Sequence, residues 1–329
     1  DFVTAPELTP LFARALARTC EAGLVALGGG DLLELGAGSG RLAADLLDAL
    51  AERDALPGHY LILEPSAELR ERQRRLFEER AGGWAGRVQW LDALPSDGSF
   101  TGLLIANEVL DARPVELFEW RADALLQGCV AWREDGFVLD YEPAPGTPLE
   151  ERVRALAADL ALPEGYRSEI DLGLDAWLAS LAAPIARGAM VFIDYGYGRA
   201  EYYHPQRAGG TLMCHYRHRA HGDPLLLPGL QDITHYVDFT AVAEAAQAAG
   251  LAVRGYCTQA HFLLDNGIDG LLAELALPEE GARYLAAVQA LKTLMLPGEM
   301  GERFKCLLLT RGLDAPLPGF RGQDLRSRL

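Results

Sequence analysis

Blocks of apolar and polar residues change their period along the chain, and the first 110 residues carry the clearest signal. An amphipathic run predicts a helix over 11–27, and a short apolar block predicts a strand over 32–35. The spacing then predicts a helix over 41–51, a strand over 60–63, a helix over 68–80, and strands over 88–91 and 102–106. Strands alternating with helices imply a parallel sheet covered on both faces. The pattern resumes with an apolar strand over 189–193 that runs into Asp194-Tyr195-Gly196. An alanine-rich helix over 239–249 follows, with Asp238 as its N-cap and Gly250 as its stop. Strands over 251–256 and 304–310 complete a seven-strand set.

Two insertions interrupt that set. The expected core is 1–112, 184–260 and 301–313, with insertions at 113–183 and 261–300. The first opens with strand-like segments over 115–120, 125–132 and 137–141, and Glu134-Asp135-Gly136 predicts a hairpin between the last two. Helices near 149–161 and 171–183 follow, separated by Pro163-Glu164-Gly165. The second insertion reads as two or three helices punctuated by Pro278 and Pro297-Gly298. Residues 202–238 are dense in aromatic and polar groups and read as an irregular loop over the carboxyl edge of the sheet.

The most informative stretch is LLELGAGSG at 32–40, a strand ending in a glycine loop that enters a helix. Glycines let the backbone take positive φ and approach a ligand closely. The helix amides that follow point toward whatever sits over the sheet edge. The glycines fall at Gly36, Gly38 and Gly40, and Arg41 stands where a dinucleotide fingerprint wants its third glycine. With Glu34 inside the strand end, the arrangement is that of S-adenosylmethionine (SAM) methyltransferases rather than dehydrogenases. Glu64, at the next strand end, suits the two ribose hydroxyls of a nucleoside. Asp92 suits an adenine amino group, and the fourth strand ends at Asn107-Glu108. Successive strand ends therefore each carry a glycine loop or a polar group.

Charge and cysteines narrow the partners. With 47 acids against 30 bases the net charge is −17, which disfavours nucleic acid and anionic membranes and favours a basic partner. No apolar stretch is long enough to span a bilayer. The five cysteines (20, 129, 214, 257 and 306) form no CxxC pair, so neither a disulfide framework nor a thiolate zinc site is expected. A reducing compartment follows, and the high Ala, Leu, Gly and Arg content points to a bacterial source and hence the cytoplasm. His215, His218 and His221 have a spacing that suits one helical face, but Arg217 and Arg219 oppose a bound cation, so no metal is expected.

Several stretches together resemble the MidA-like family of SAM-dependent methyltransferases, which includes a mitochondrial complex I assembly factor acting as a protein arginine methyltransferase. They are DFVTAPELTPLF (1–12), LLELGAGSGRLAADLL (32–47), YLILEPSAELRERQ (60–73), ANEVLDARPVELF (106–118), VFIDYGYG (191–198), GTLMCHYRHRAHGDPL (210–225), DITHYVDFT (232–240) and MGERFKCLLLT (300–310). The resemblance implies a class I (Rossmann-like) α/β fold with a seven-stranded, mostly parallel sheet, and bound SAM. It admits a homodimer, and it implies a mitochondrial location if the source is eukaryotic. It places Thr4, Pro6 and Glu7 near the cofactor and turns Asn107, Glu108 and Asp111 toward the reaction centre. Relatives are expected to carry some tens of residues ahead of DFVTAPE.

Methyl transfer from a sulfonium is an in-line displacement that needs collinear atoms and a dry site. A guanidinium is a poor nucleophile, and carboxylates that grip two of its nitrogens fix its geometry. Glu108 and Asp111 are the first candidates, with helix capping as their alternative. Asp194 is next, with loop anchoring as its alternative. His235 is a candidate proton acceptor or carboxylate orienter, against a purely structural histidine. The expected function is methylation of an accessible arginine on a protein partner. A catalytically silent SAM-binding assembly factor and a small-molecule methyltransferase remain as alternatives.

Overall fold

The computed structural model describes residues 4–80, 82–121, 124–134, 136–217, 219–275 and 281–329. Residues 1–3 of the first matching stretch, Asp135 of the hairpin turn, His218 of the histidine run and Pro278 lie outside the described residues. The chain divides into two compact units: Val3–Val109, Leu178–Tyr195 and Ala243–Leu329 form one, and Leu110–Trp177 with Gly196–Val242 form the other.

The first unit holds the main sheet. Its strands are β1 (Asp31–Leu35), β2 (Tyr60–Leu63), β3 (Val88–Leu91), β4 (Phe100–Asn107), β5 (Ile185–Tyr197, to residue 195), β6 (Ala252–Thr258) and β7 (Phe304–Arg311). They lie in the order β6-β7-β5-β4-β1-β2-β3. The pairs β1–β2, β2–β3, β1–β4 and β4–β5 are parallel, while β7 runs antiparallel to both β5 and β6. The sheet is thus mostly parallel with one reversed strand, as the periodicity and the resemblance led one to expect. Leu32, Leu33, Leu103, Leu104, Ile105, Val191, Phe192 and Ile193 are fully buried, which is why these strands read as unbroken apolar runs.

The order fixes where a ligand can sit. The chain builds β1, β2 and β3 outward on one side, then returns to lay β4 against the other side of β1. The crevice beyond the carboxyl ends of β1 and β4 is the switch point of the sheet, the usual ligand site of open α/β folds. The helix Pro10–Leu27 covers the sheet. It starts with a proline, its Thr9 cap accepts from the Leu11 N–H at 3.3 Å, and it stops at Gly28 with φ +79°. Helices Gln259–Asp265, Ile268–Glu274 and Gly281–Met295 occupy the second insertion.

The second unit has a four-stranded antiparallel sheet, ordered Gly136–Pro143, Leu125–Arg133, Glu116–Trp120, Tyr166–Ile170. Helix Pro148–Asp159 packs Leu149, Val153 and Leu156 into a core with Phe118, Leu125, Tyr166, Tyr202 and Tyr203. The strand Tyr166–Ile170 is not apparent in the sequence, where those residues only separate two helices. Residues 202–238 depart from the expected irregular loop. Met213–Tyr216, Arg219–His221 and Asp232–Thr234 form a small antiparallel sheet, and Val237–Asp238 pairs with Gly196 and Tyr197. Strands of two to four residues are too short to display an alternation of period two.

Candidate active site

The glycine loop follows β1 directly. Gly36, Gly38 and Gly40 have φ of +61°, +53° and +82°, so any other residue would be strained at each. The Gly36 N–H donates to the Leu63 carbonyl at 3.0 Å, which ties the loop to the end of β2. A Cβ on Gly38 would meet nothing within 4 Å, and one on Gly36 would meet only Val109 Cγ2 at 3.5 Å. Gly36 and Gly38 thus leave open space above the switch point, as a cofactor cradle requires. Helix Ala5–Leu8 reaches this loop, because the Ser39 hydroxyl donates to Glu7 Oε1. Thr4 accepts from the Glu7 N–H at 3.0 Å, and Pro6 is buried in the same turn.

The strand-end acids have different surroundings. Glu34 is buried, accepts from the Tyr60 hydroxyl at 2.7 Å, and is pushed up to about 7. Burial is the larger cause and the charge of Glu64 adds to it, while the tyrosine bond opposes both. Glu64 is buried and accepts from the Ser66 N–H at 3.0 Å. Asp92 is exposed and paired with Arg70 at 2.6 Å. Arg70 also donates to the Glu64 carbonyl and the Leu91 carbonyl, both at 2.5 Å, so it spans the ends of β2 and β3.

At the end of β4, Asn107 Nδ2 donates to Glu108 Oε1 at 3.1 Å, and Asn107 Oδ1 is buried with no partner among the described residues. Such an acceptor fits a donor on a bound cofactor. Glu108 has φ +53°, a left-handed conformation that costs a non-glycine residue roughly 1–2 kcal/mol. The turn is held from β5. The Glu108 N–H donates to the Ile193 carbonyl at 2.9 Å, and the Val109 N–H to Asp194 Oδ2 at 3.1 Å. Asp194 is buried, and its other oxygen accepts from the Tyr195 N–H at 2.9 Å.

Asp111 and His235 meet in the second unit. The His235 N–H donates to the Asp111 carbonyl at 3.0 Å, and the Asp111 side chain is buried. The two His235 ring nitrogens face carbonyl oxygens, of Tyr236 at 2.7 Å and of Arg113 at 3.2 Å. The ring is therefore turned toward backbone acceptors. Arg113 pairs with Asp171 and lies 4.4 Å over the Trp177 ring. The structure thus brings Asn107, Glu108 and Asp194 together in one unit, and Asp111 and His235 in the other.

His215 and His221 lie on strands, not on a helix. His221 stands opposite Cys214, and His215 opposite Ala220, so the two rings leave opposite faces of the hairpin. Among the described residues no group of three metal-ligating side chains converges. No helix among them is long and apolar enough to cross a membrane.

Two residues near the cradle escaped the sequence reading, Ser39 and Gln73. Gln73 Nε2 donates to the Gly38 carbonyl at 2.9 Å, and its Oε1 accepts from the Trp90 indole at 2.7 Å. The available signal is faint: Gln73 and Phe77 are four apart and are the buried positions of an otherwise polar helix, Ala67–Arg80.

Known proteins share this sequence and this fold. A family model described as "Putative S-adenosyl-L-methionine-dependent methyltransferase" matches residues 14–257. A Burkholderia thailandensis protein, solved bound to S-adenosyl-homocysteine, is 46% identical, with a TM-score of 0.94 over 100% of this chain and 84% of that one. Protein arginine methyltransferase NDUFAF7, mitochondrial, of Danio rerio is 25% identical over 335 residues, covering 93% of this chain and 75% of its own. The Mus musculus protein of the same name is 28% identical over 342 residues, covering 92% of this chain and 73% of its own. The chain belongs to this family of SAM-dependent methyltransferases, with SAM as its cofactor.

Proposed function

We propose that the chain methylates a guanidinium nitrogen of an arginine on a protein partner. The observation that carries this reading is Glu108, a carboxylate at the end of β4 held in a left-handed turn beside Asn107. Backbone strain of this kind persists where the surroundings over-determine it, and it clusters at functional sites. Support for arginine as the acceptor comes from relatives named as protein arginine methyltransferases, 25% and 28% identical to this chain. The net charge of −17 suits a basic partner.

In this proposal the loop Gly36–Gly38–Gly40, the segment Thr4–Pro6–Glu7, Glu64 and Asn107 hold the cofactor. Glu64 accepts from ribose hydroxyls, and Asp92 from the adenine amino group. Glu34 supports the strand beneath the loop. When bound, SAM supplies an electrophilic methyl group on a sulfonium centre. Glu108 grips two guanidinium nitrogens and draws their positive charge away from the attacking nitrogen, which sheds its proton to solvent once the methyl is transferred. Asp194 positions Glu108 through the Val109 N–H, and His235 positions the segment 111–113 through its carbonyls.

The test is transfer of labelled methyl groups to arginine-bearing protein substrates, with the modified residue read by mass spectrometry. Glu108→Gln should abolish transfer while SAM affinity stays within about twofold, since the change removes charge from the acceptor side only. A folded, fully active Glu108→Gln enzyme refutes the role given to Glu108.

A further inference from the structure

We infer that Gln73 is a positioning residue for the cofactor cradle, fixing the glycine loop to the third strand through one buried amide. The inference rests on SAM being held over that loop. Gln73 is fully buried within helix Ala67–Arg80, whose other inward side chain is Phe77. A buried amide is costly unless its hydrogen bonds are made. Here both ends are used, the amino group on the Gly38 carbonyl at 2.9 Å and the oxygen on the Trp90 indole N–H at 2.7 Å. The orientation is unambiguous. A flipped amide would set oxygen against carbonyl oxygen and N–H against N–H.

Glycines make the loop pliable, and pliability costs binding entropy when a ligand must order it. The Gln73 bond falls on Gly38, in the middle of the loop, where a side chain would find no neighbour within 4 Å. The same side chain adds to the reason for a glycine at 40, where φ is already +82°. A Cβ there would come to 3.0 Å from Gln73 Cγ and 3.4 Å from Phe77 Cε1. Trp90 is itself fixed, with its ring 5.7 Å from that of Phe77 and the Arg74 guanidinium 5.0 Å above it. Trp90 lies two residues before Asp92 in the chain. Gln73 therefore joins the loop after β1 to the end of β3, the two places proposed to hold different parts of one cofactor. It acts through the backbone of Gly38, so it is a positioning residue and not a catalytic one.

Two variants test this in the full chain. Gln73→Met keeps the length and removes both hydrogen bonds. Gln73→Leu removes the same two bonds with a more compact side chain, so it decides the matter if the methionine variant does not fold. Two measurements are made, hydrogen exchange of residues 36–41 without ligand and calorimetric titration with SAM. In both variants the loop amides should exchange about tenfold faster without ligand. The SAM Kd should rise about tenfold. A lower melting temperature with unchanged loop exchange and unchanged Kd would make Gln73 merely structural and overturn the inference. Unchanged Kd in variants of a binding-competent wild type overturns this role alone. Failure of the wild type to bind SAM overturns the cofactor assignment and this role with it.

Discussion

Glu34 offers the sharpest test of the electrostatics at the base of the site. Its carboxyl is raised from the ordinary 4.5 to about 7, chiefly because burial penalises the charged form. The native state therefore binds this proton more tightly than the unfolded chain does. Below about pH 4.5 both states are protonated and nothing is gained or lost. Between about pH 4.5 and pH 7 native stability falls as pH rises, and above about pH 7 the full penalty of roughly 3 kcal/mol is in place. The amide introduced by Glu34→Gln never ionises, and its oxygen still accepts from the Tyr60 hydroxyl. Any packing cost of the substitution is the same at every pH and cancels in the comparison. Relative to wild type, Glu34→Gln should therefore be roughly 2–3 kcal/mol more favoured at pH 8 than at pH 5. At roughly 2 cal/mol/K of unfolding entropy per residue, that is a gap in melting temperature larger by about 3–4 °C at pH 8. The assay is ligand-free thermal melting of both proteins at the two pH values. Tyr60→Phe supplies the control. It removes the bond that favours the charged carboxylate, so it should raise the Glu34 pKa further and steepen the loss of stability with pH. A gap that does not change between pH 5 and pH 8 would mean that Glu34 does not titrate there, and the reasoning would fall.

Two further substitutions separate the parts of the cradle. Gly38→Val places a branched side chain at φ +53° in the open space of the loop. SAM binding measured by calorimetry should weaken at least 100-fold, with a stability loss of only about 1–2 kcal/mol; micromolar SAM binding by the variant would remove the loop from the site. Asp92→Asn breaks an exposed ion pair with Arg70, so stability should move by less than about 1 kcal/mol. Its SAM Kd should nonetheless rise severalfold, and an unchanged Kd would leave Asp92 a surface partner of Arg70 and nothing more.

Much of the sheet was legible because buried parallel strands must be apolar throughout and must alternate with helices, and residues 31–107 obey both rules with little interruption. The glycine loop was legible for a related reason: its spacing reflects backbone conformation, which a side chain at 36, 38 or 40 would strain. What the sequence concealed is of another kind. Tyr166–Ile170 and the short strands within 213–234 acquire their identity from partners far along the chain, not from a local period. The acids at the strand ends look alike in sequence, yet their surroundings divide them. Glu34 is enclosed beside a tyrosine, Asp92 lies outside with an arginine, and Asp194 spends both oxygens on backbone N–H groups. Each of those fates depends on which neighbour reaches the carboxylate, and the neighbours Tyr60, Arg70 and Val109 all lie far from their acids in sequence. Glu108 differs in its backbone: a left-handed turn held by two hydrogen bonds to β5 sets where its carboxylate starts. The proposal that Glu108 meets the substrate therefore makes a demand that its sequence position alone does not. Asp194→Asn would keep an oxygen to accept from the Val109 N–H and give up only the acceptor for the Tyr195 N–H, whereas Asp194→Ala would remove both. If the turn matters to catalysis, the asparagine variant should keep far more methyl-transfer activity than the alanine variant. Equal loss in the two would instead point to the charge of Asp194 itself.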